Sequence, residues 1–293
     1  MSIYLTGASG FVGKNLISYF KNKIEIKKHV RDSEFLIKEN TVIHLAGKAH
    51  DLKNISNKDE YYEVNTELTK QIFDSFLISD SSVFIMLSSV KAVADNVLGI
   101  LNEHCEPNPK THYGKSKFLA ERYVLSKKIP QNKRVYILRP CMIHGPGNKG
   151  NLNLLYSMAK KGIPFPFASF KNERSLLGID NAKELILGMI EKSPESGVYN
   201  FSDDGYISST KIYELMGEVV GKKSTLWKVP KSAISIIGKL GDILPLPIDS
   251  LKIKKLTENY RVSNQKIKKA LGWDSMPHSL SDNLKNTLKS FNS

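Results

Sequence analysis

Three glycines directly after the first strand constrain the fold of this chain most. The apolar run at 2–5 predicts a strand, and helical apolar spacing begins after residue 13. The segment TGASGFVG (6–13) lies between them and spaces Gly7, Gly10 and Gly13 as G-x-x-G-x-x-G. Such a turn brings backbone close to a pyrophosphate, and the free N–H groups of the helix then face the phosphates. The segment therefore predicts a dinucleotide site, with an ordinary tight strand–helix turn as the alternative.

Length and composition predict a globular protein with a large core. The chain has 293 residues, of which 41% are hydrophobic and 25% charged, and this suits one large domain or two unequal lobes. Cys105 and Cys141 match neither a metal-ligand spacing nor a disulfide framework, so we expect no metal and a cytoplasmic location. We expect no transmembrane segment either, because the longest apolar stretch, 233–248, is interrupted by Lys239 and Asp242.

The formal net charge of +14 fits nucleic acid, a membrane surface or a polyanionic small substrate. The lysines are spread widely, without aromatic-interleaved basic platforms or RNA-binding signatures, so nucleic acid is not an expected partner. Solubility is the favoured interpretation, although a phosphate-rich ligand would also be attracted. The strongly apolar helix predicted at 232–240 is expected to pack in the core, with a membrane-surface role as the alternative that its flanking lysines support.

The second and third predicted strands bear on cofactor choice. A strand at 24–30 ends at Arg31, which favours the 2′-phosphate of NADP(H), whereas Asp32 keeps NAD open. The next strand, at 41–47, ends in small residues that let a cofactor lie close to the backbone. Fewer than a dozen residues separate this strand from Arg31, so one unit of the sheet must be abridged. His44 lies inside the apolar run and is expected to be packed rather than catalytic.

A tyrosine and a lysine one helical turn apart suggest proton transfer. In YGKSK (113–117), Tyr113 and Lys117 share one helix face. An ammonium beside a phenol lowers the pKa of the phenol, which would make Tyr113 usable near neutral pH. A buried strand at 83–87 delivers Ser89 to the edge where ligands bind in parallel sheets. The alternatives are a solvated Tyr–Lys pair and a turn-capping serine.

Seven segments in order carry a family resemblance: TGASGFVG (6–13), HLAG (44–47), VNTELT (64–69), LSS (87–89), YGKSK (113–117), LRPCMIHGPG (138–147) and RSLLGIDNA (174–182). Together they resemble the extended short-chain dehydrogenase/reductase superfamily, in its nucleotide-sugar epimerase, dehydratase and reductase branch. The resemblance implies an α/β fold, a Rossmann-type doubly wound parallel sheet with a smaller C-terminal α/β substrate lobe. Residues 1–147, with 175–201 returning, would be mainly the dinucleotide domain, and 148–174 with 202–293 mainly the lobe.

The same resemblance implies site residues. The catalytic residues would be Ser89, Tyr113 and Lys117, the last also holding the nicotinamide ribose. The cofactor-binding residues would be Gly7, Ser9, Gly10, Phe11, Val12, Gly13, Arg31, Leu45, Ala46, Gly47, Asn65, Lys117 and Pro140. The substrate-binding residues would be Ser89, Lys91, Tyr113, Asn151, Phe165 (stacking on a nucleobase) and Arg174 (gripping the diphosphate of a UDP-sugar).

The residues after Ser89 bear on the reaction. A 4,6-dehydratase of this family needs an acid pair there, and the chain has Val90 and Lys91 instead, so dehydration is not expected. Arg31 and Lys91 favour an NADPH-dependent reductase, and the segments LSSVK (87–91) and NERSLLGIDN (172–181) resemble those of 4-keto reductases of bacterial surface-polysaccharide pathways. This resemblance implies a 4-keto reductase of a UDP-N-acetyl-6-deoxyhexosamine (QuiNAc or FucNAc type) in O-antigen or capsule synthesis. The alternatives are a 4-epimerase of UDP-glucose or UDP-GlcNAc with bound NAD, and a non-catalytic NADP(H)-binding protein. Homodimers are common in the family.

Overall fold

The computed structural model describes residues 1–31, 33–48, 57–148, 151–244 and 249–291. The predictions made on Asp32 and on the side chain of Asn151 lie outside the described residues. The strands are β1 (Ser2–Thr6), β2 (Glu25–Lys28), β3 (Thr41–His44), β4 (Val83–Leu87), β5 (Ile100–Leu101), β6 (Arg134–Pro140), β7 (Met142–His144), β8 (Leu176–Gly178), β9 (Gly197–Phe201) and β10 (Arg261–Val262).

The α-helices surround these strands, and a π-helical turn, Glu63–Glu67, joins two of them. They are α1 (Phe11–Phe20), α2 (Lys58–Tyr62), α3 (Leu68–Ile78), α4 (His112–Ser126), α5 (Asn151–Lys160), α6 (Ile179–Lys192), α7 (Ser209–Val220), α8 (Lys231–Ile243), α9 (Ser250–Thr257), α10 (Gln265–Leu271) and α11 (Leu280–Lys289).

Six parallel strands form the main sheet in the order β2-β1-β3-β4-β6-β9, which confirms the predicted fold class. The central strands read as continuous apolar runs because helices cover both faces of the sheet. The order reverses between β1 and β3, since the chain adds β2 on one side of β1 and β3 on the other. In such sheets the crevice outside the carboxyl ends of the strands at this point is where ligands bind.

The predicted abridged unit lies between β2 and β3. The described residues of 29–40 form neither helix nor strand, so the chain crosses the sheet without a flanking helix. β2 lies at the edge of the sheet, and its side chains are mostly exposed because no helix from this unit covers them. It is also shorter than the predicted 24–30. Its ladder needs only one partner, β1, which it matches from Ser2 opposite Glu25 to Leu5 opposite Lys28.

Three apolar cores hold the molecule together, and two of them lie on opposite faces of the main sheet. The larger of these two also takes in residues from the end of the chain, including Tyr260, Val262 and Leu271. A separate core joins α5, α7 and α11 with the segment that contains Phe165, and we call this part the lobe. Among the described residues, every helix is too short or too polar to cross a bilayer.

Candidate active site

The glycine turn packs against the end of β3. Gly7 has φ +71°, and a Cβ placed on it would lie 2.6 Å from the Ala46 nitrogen and 2.7 Å from the Leu45 carbonyl carbon. A Cβ on Gly13 would lie 2.3 Å from the Gly7 oxygen, so α1 crosses the turn at backbone contact. Side chains at these positions would therefore separate α1 and β3 from the turn.

The N-terminus of α1 is open to an anion. Gly10 caps the helix without a side-chain hydrogen bond, and the first turn holds no acidic residue. Ser9 and Gly10 are exposed, while Phe11 and Val12 are half-buried beside them. The free N–H groups and the positive end of the helix dipole suit a pyrophosphate. The turn thus fits the dinucleotide that its sequence predicted.

Asn65 closes the next part of the crevice from the π-helical turn, an element common at functional sites. The side chain is fully buried, accepts a hydrogen bond from the Lys48 N–H at 2.8 Å and donates one to the Ser116 hydroxyl at 3.0 Å. A Cβ on Gly47 would lie 2.9 Å from its Oδ1 and 2.8 Å from the Lys117 ammonium nitrogen. Asn65, Gly47 and Lys117 are therefore brought together at the end of β3.

Ser89 and Tyr113 meet through a close helix approach. Ser89 caps a short 3₁₀ turn, Val90–Ala92, and its hydroxyl hydrogen-bonds the Tyr113 phenol. A Cβ on Gly114 would lie 2.4 Å from the Lys91 carbonyl oxygen, so only glycine lets α4 press onto this turn. The sequence reasoning missed this role of Gly114, although the glycine inside a helical pattern was a visible signal.

The neighbouring Ser88 has a different partner. Its hydroxyl donates to the Glu121 carboxylate, which forms a buried ion pair of 2.6 Å with Arg139. Ser88 thus belongs to a buried polar network that ties β4 to α4 and β6. Of the two serines, Ser89 is the one in contact with the phenol.

The buried Lys117 ammonium donates to the Leu87 carbonyl oxygen at 3.0 Å. Burial lowers the pKa of Lys117 to about 8, and the nearby Glu121 carboxylate works in the opposite direction. Lys117 is therefore still largely a cation at neutral pH. Its ammonium faces the end of β3 rather than the phenol one turn earlier.

The predicted lowering of the Tyr113 pKa is wrong for this structure. Burial raises the pKa of Tyr113, the hydrogen bond with Ser89 lowers it in part, and the neighbouring Tyr61 adds to the rise. Lys117 is not among the groups that shift it. The reason is geometric, since a shared helix face does not bring the flexible lysine's charge to the phenol. Tyr113 is a neutral phenol in the resting site.

A group of cations lies beyond the Ser89 turn. The half-buried Arg174 makes no side-chain hydrogen bond or ion pair with another described residue. Lys91 donates to the Asp95 carbonyl oxygen at 2.8 Å and sits 4.2 Å from the centre of the Tyr260 ring. Burial is the main cause that lowers the pKa of Lys91 and of Lys255; the Glu258 carboxylate opposes it for both, and the positive charge of Arg174 adds to the lowering. We call Lys91, Arg174 and Lys255 the cation cluster.

Other predicted residues have different positions. Phe165 is fully buried and stacks on Tyr213 with ring centres 4.8 Å apart, so the predicted stacking on a nucleobase is wrong. An aromatic residue in an apolar segment gives the same sequence pattern whether its side chain faces a ligand or packs in a core. Arg31 is exposed just past β2, and Pro140 is buried at the end of β6.

His44 is packed, as predicted. Its ring nitrogens bond the Thr6 hydroxyl at 2.8 Å and the Thr69 hydroxyl at 2.9 Å. Burial lowers its pKa to about 3, so the ring is neutral at physiological pH. Two hydroxyl partners satisfy both nitrogens, which leaves the ring no capacity for catalysis.

Comparison with known proteins agrees with this arrangement. The family model described as "NAD dependent epimerase/dehydratase family" matches residues 3–201. A UDP-glucose 4-epimerase of Vibrio cholerae is 30% identical, over 99% of this chain and 95% of the relative. An N-acetyl-alpha-D-glucosaminyl-diphospho-ditrans,octacis-undecaprenol 4-epimerase of Escherichia coli O157:H7 is 26% identical, over 98% of this chain and 94% of the relative.

The fold has solved counterparts as well. The structure of RMD from Pseudomonas aeruginosa complexed with NADPH aligns with a TM-score of 0.76 at 19% identity, covering 99% of this chain and 98% of that one. The matched family model spans the glycine turn, the serine, the tyrosine and the lysine described above. The chain belongs to the NAD-dependent epimerase/dehydratase family and is an enzyme of the short-chain dehydrogenase/reductase type.

Proposed function

We propose that this enzyme is a 4-epimerase that acts on a hexose attached to a diphosphate. The single observation that carries the proposal is the Ser89–Tyr113 hydroxyl pair, which lies beside the buried Lys117 at the carboxyl ends of the strands. Two relatives that match almost the whole chain are both named 4-epimerases, and this supports the direction. We therefore favour epimerase over the reductase that Arg31 and Lys91 suggested in the sequence.

Each residue has a role at the C4 carbon. A nicotinamide dinucleotide, once bound, would supply hydride acceptance from C4 and hydride return to it. The phenolate form of Tyr113 takes up the proton of the C4 hydroxyl when C4 gives up its hydride and returns that proton when the hydride comes back, while Ser89 hydrogen-bonds the same oxygen. The cationic Lys117, facing Gly47 and Asn65, would hold the ribose hydroxyls of the dinucleotide at the end of β3.

The dinucleotide contacts follow the glycine turn. Gly7, Gly10 and Gly13 with the N-terminus of α1 would hold its pyrophosphate, and Leu45 and Ala46 would border it from β3. These backbone groups carry no preference between NAD and NADP(H). The guanidinium of Arg31 is exposed at the end of β2, where an arginine pairs with the 2′-phosphate of NADP(H). This observation keeps the 4-keto reductase as a second candidate.

The cation cluster is the proposed site for the substrate's diphosphate. Two phosphates carry about two negative charges, and the fork of the Arg174 guanidinium suits bidentate bonds to them. Burial of Phe165 removes the predicted nucleobase platform, so recognition rests on the diphosphate more than on a base. The group on its far side can then be a nucleoside, as in UDP-glucose, or a polyprenol, the carrier in the name of the E. coli relative.

The test is conversion at C4 by Tyr113→Phe. We expect this variant to lose at least about a hundredfold in kcat, the typical contribution of a positioned acid–base group. Tyr62→Phe is the matched control, because it also loses one phenolic hydroxyl. That hydroxyl bonds the His112 ring at 3.0 Å, and the variant should keep the kcat of the parent. Equal activity of Tyr113→Phe and the parent on UDP-glucose, UDP-GlcNAc and GlcNAc-diphosphate-prenol would refute the proposal.

The released dinucleotide separates the two candidate reactions. Denaturing the purified enzyme should release NAD for the epimerase, whose cofactor is regenerated in each turnover. A protein that arrives without dinucleotide, and consumes NADPH only when a 4-keto sugar diphosphate is supplied, would instead be the reductase.

A further inference from the structure

We propose that the exposed apolar face of α8, bordered by lysines, docks the enzyme on an anionic membrane surface that presents a polyprenyl-linked sugar diphosphate to the cation cluster. The inference rests on the proposed function and names the substrate class of the same site. The occupant of the face is a bilayer with acidic lipid headgroups. A second copy of the chain is the competing outcome.

The apolar face is a continuous stripe on one helix. Ile236, Ile237, Leu240 and Ile243 are 60%, 42%, 47% and 83% exposed. At 3.6 residues per turn these positions fall within an arc of about 120°. Such a stripe of large aliphatic side chains is rare on a monomer surface and marks an interaction site. The expectation that this segment packs in the core is therefore wrong for this face.

The opposite side of α8 already has its packing partner. Ile234 is buried, and a Cβ on Gly238 would lie 2.7 Å from the Ile253 side chain of α9. The helix is therefore fixed on the molecule by one face and presents the other to the outside. With 13 residues it is too short to span a bilayer, so it would lie in the interface plane.

The positive charge around the apolar face favours an acidic membrane over a second copy of the chain. Across the described parts of 231–257, five lysines accompany two aspartates, Asp242 and Asp249. Asp249 is paired with Lys252 at 2.8 Å, so this pair cancels and four lysines remain against one aspartate. The lysines are Lys231, Lys239, Lys252, Lys254 and Lys255. Aliphatic residues beside lysines are the pattern of a helix that binds acidic lipid headgroups, whereas two copies meeting here would bring these positive charges together.

The docking face is continuous with the proposed substrate site. α9 packs against α8 through Ile253, and the end of α9 is tied to the segment that carries Arg174, because the Asn172 amide donates to the Leu256 carbonyl oxygen at 3.0 Å. The end of α9 thus lies where a diphosphate would bind, and α8, which packs against it, carries the apolar stripe. A diphosphate held by the cluster would have its lipid tail directed along an apolar surface into the bilayer. A sugar attached to a nucleoside diphosphate has no lipid tail that would run along this stripe.

Vesicle sedimentation of the purified full chain tests the inference. The parent should sediment with vesicles of phosphatidylcholine and phosphatidylglycerol, and far less with phosphatidylcholine alone or at high salt. The triple variant Ile236→Ser, Leu240→Ser, Ile243→Ser should lose at least about tenfold in partitioning. The matched control Ile78→Ser, Leu98→Ser, Leu125→Ser removes three other exposed aliphatic residues and should sediment like the parent.

A lysine substitution provides the second measurement. Lys239→Gln should weaken binding to acidic vesicles by roughly fivefold and leave folding unchanged. Absence of parent binding to acidic vesicles would overturn the inference. So would a parent dimer that the triple variant converts to monomer, because the stripe would then be an interface between copies.

Turnover separates this inference from the proposed function. Tyr113→Phe should bind acidic vesicles like the parent while failing to convert any substrate. The triple variant should keep the parent's kcat on a short-chain, water-soluble sugar diphosphate and lose turnover of a long-chain polyprenyl substrate in vesicles. Vesicle binding without C4 conversion would remove the proposed function alone. C4 conversion without vesicle binding would remove the docking surface alone.

Discussion

Replacing Gly7 with alanine is the sharpest test of the glycine turn, because the structure gives two separate free-energy penalties for a side chain at this position. The residue has φ +71°, where a side chain costs about 1–2 kcal/mol. In addition, its Cβ would lie 2.6 Å from a backbone nitrogen at Ala46, and such overpacking costs about 1–3 kcal/mol. Gly7→Ala should therefore lower the free energy of unfolding by about 2–5 kcal/mol, a large part of the usual total.

Gly99→Ala separates the two penalties. Gly99 has a similar φ of +86°, yet a Cβ there would meet nothing within 4 Å. This variant should lose only the conformational part, about 1–2 kcal/mol. Urea unfolding followed by circular dichroism measures both variants. An equal loss in the two would refute the claim that the turn packs at backbone contact against the end of β3.

Gly10→Ala adds the ligand to the same series. Its backbone is extended, with φ −73°, and a Cβ would meet only the Gly7 oxygen at 3.3 Å. The unfolding free energy should change by less than about 1 kcal/mol. Affinity for the dinucleotide, measured by titration calorimetry, should fall at least about tenfold if the pyrophosphate lies against this backbone. Unchanged affinity would mean that the phosphates bind elsewhere.

Three further predictions follow. Ser89→Ala should lower kcat with little effect on unfolding, whereas Ser88→Ala should lower stability by about 1–3 kcal/mol and spare kcat, as kinetics and urea melts would show. His44 has its pKa lowered from 6.5 to about 3, so the unfolded chain takes up this proton first; His44 should contribute a fall of about 2 kcal/mol in the free energy of unfolding between pH 7 and 5, measured as the difference between the parent and His44→Gln, in which His144 and Asp203 still titrate. Epimerisation needs the Tyr113 phenolate, which burial disfavours, so kcat should rise with pH from neutral and level off above about pH 8, where Lys117 begins to lose its proton; a reductase, which needs the neutral phenol, should instead lose kcat above about pH 8.

The sequence predicted the sheet and its ligand-binding edge well, because both depend on local patterns. Apolar runs bounded by small residues marked the buried parallel strands, and the predicted 83–87 coincides with β4. The glycine spacing predicted a turn at backbone contact, and Gly7 and Gly13 have that geometry. These features depend on a few adjacent residues, which a single sequence displays directly.

Features that depend on distant packing were not predictable. Tyr113 has a raised pKa because its phenol is buried, while the Lys117 ammonium turns away to the Leu87 carbonyl oxygen. Phe165 lies in the lobe core because Tyr213, far along the chain, stacks on it. Composition could not tell whether α8 was covered, since that depends on which of its faces α9 occupies. In each case the deciding partner is remote in sequence.

Isotope retention at C4 tests the central claim most directly. The enzyme is incubated with a hexose diphosphate that carries deuterium at C4, and both C4 epimers are analysed by mass spectrometry. We predict that deuterium stays at C4 in both epimers, that no external dinucleotide is consumed, and that Tyr113→Phe forms no product. Loss of the label to solvent, or stoichiometric consumption of NADPH, would contradict epimerisation by transient oxidation at this site.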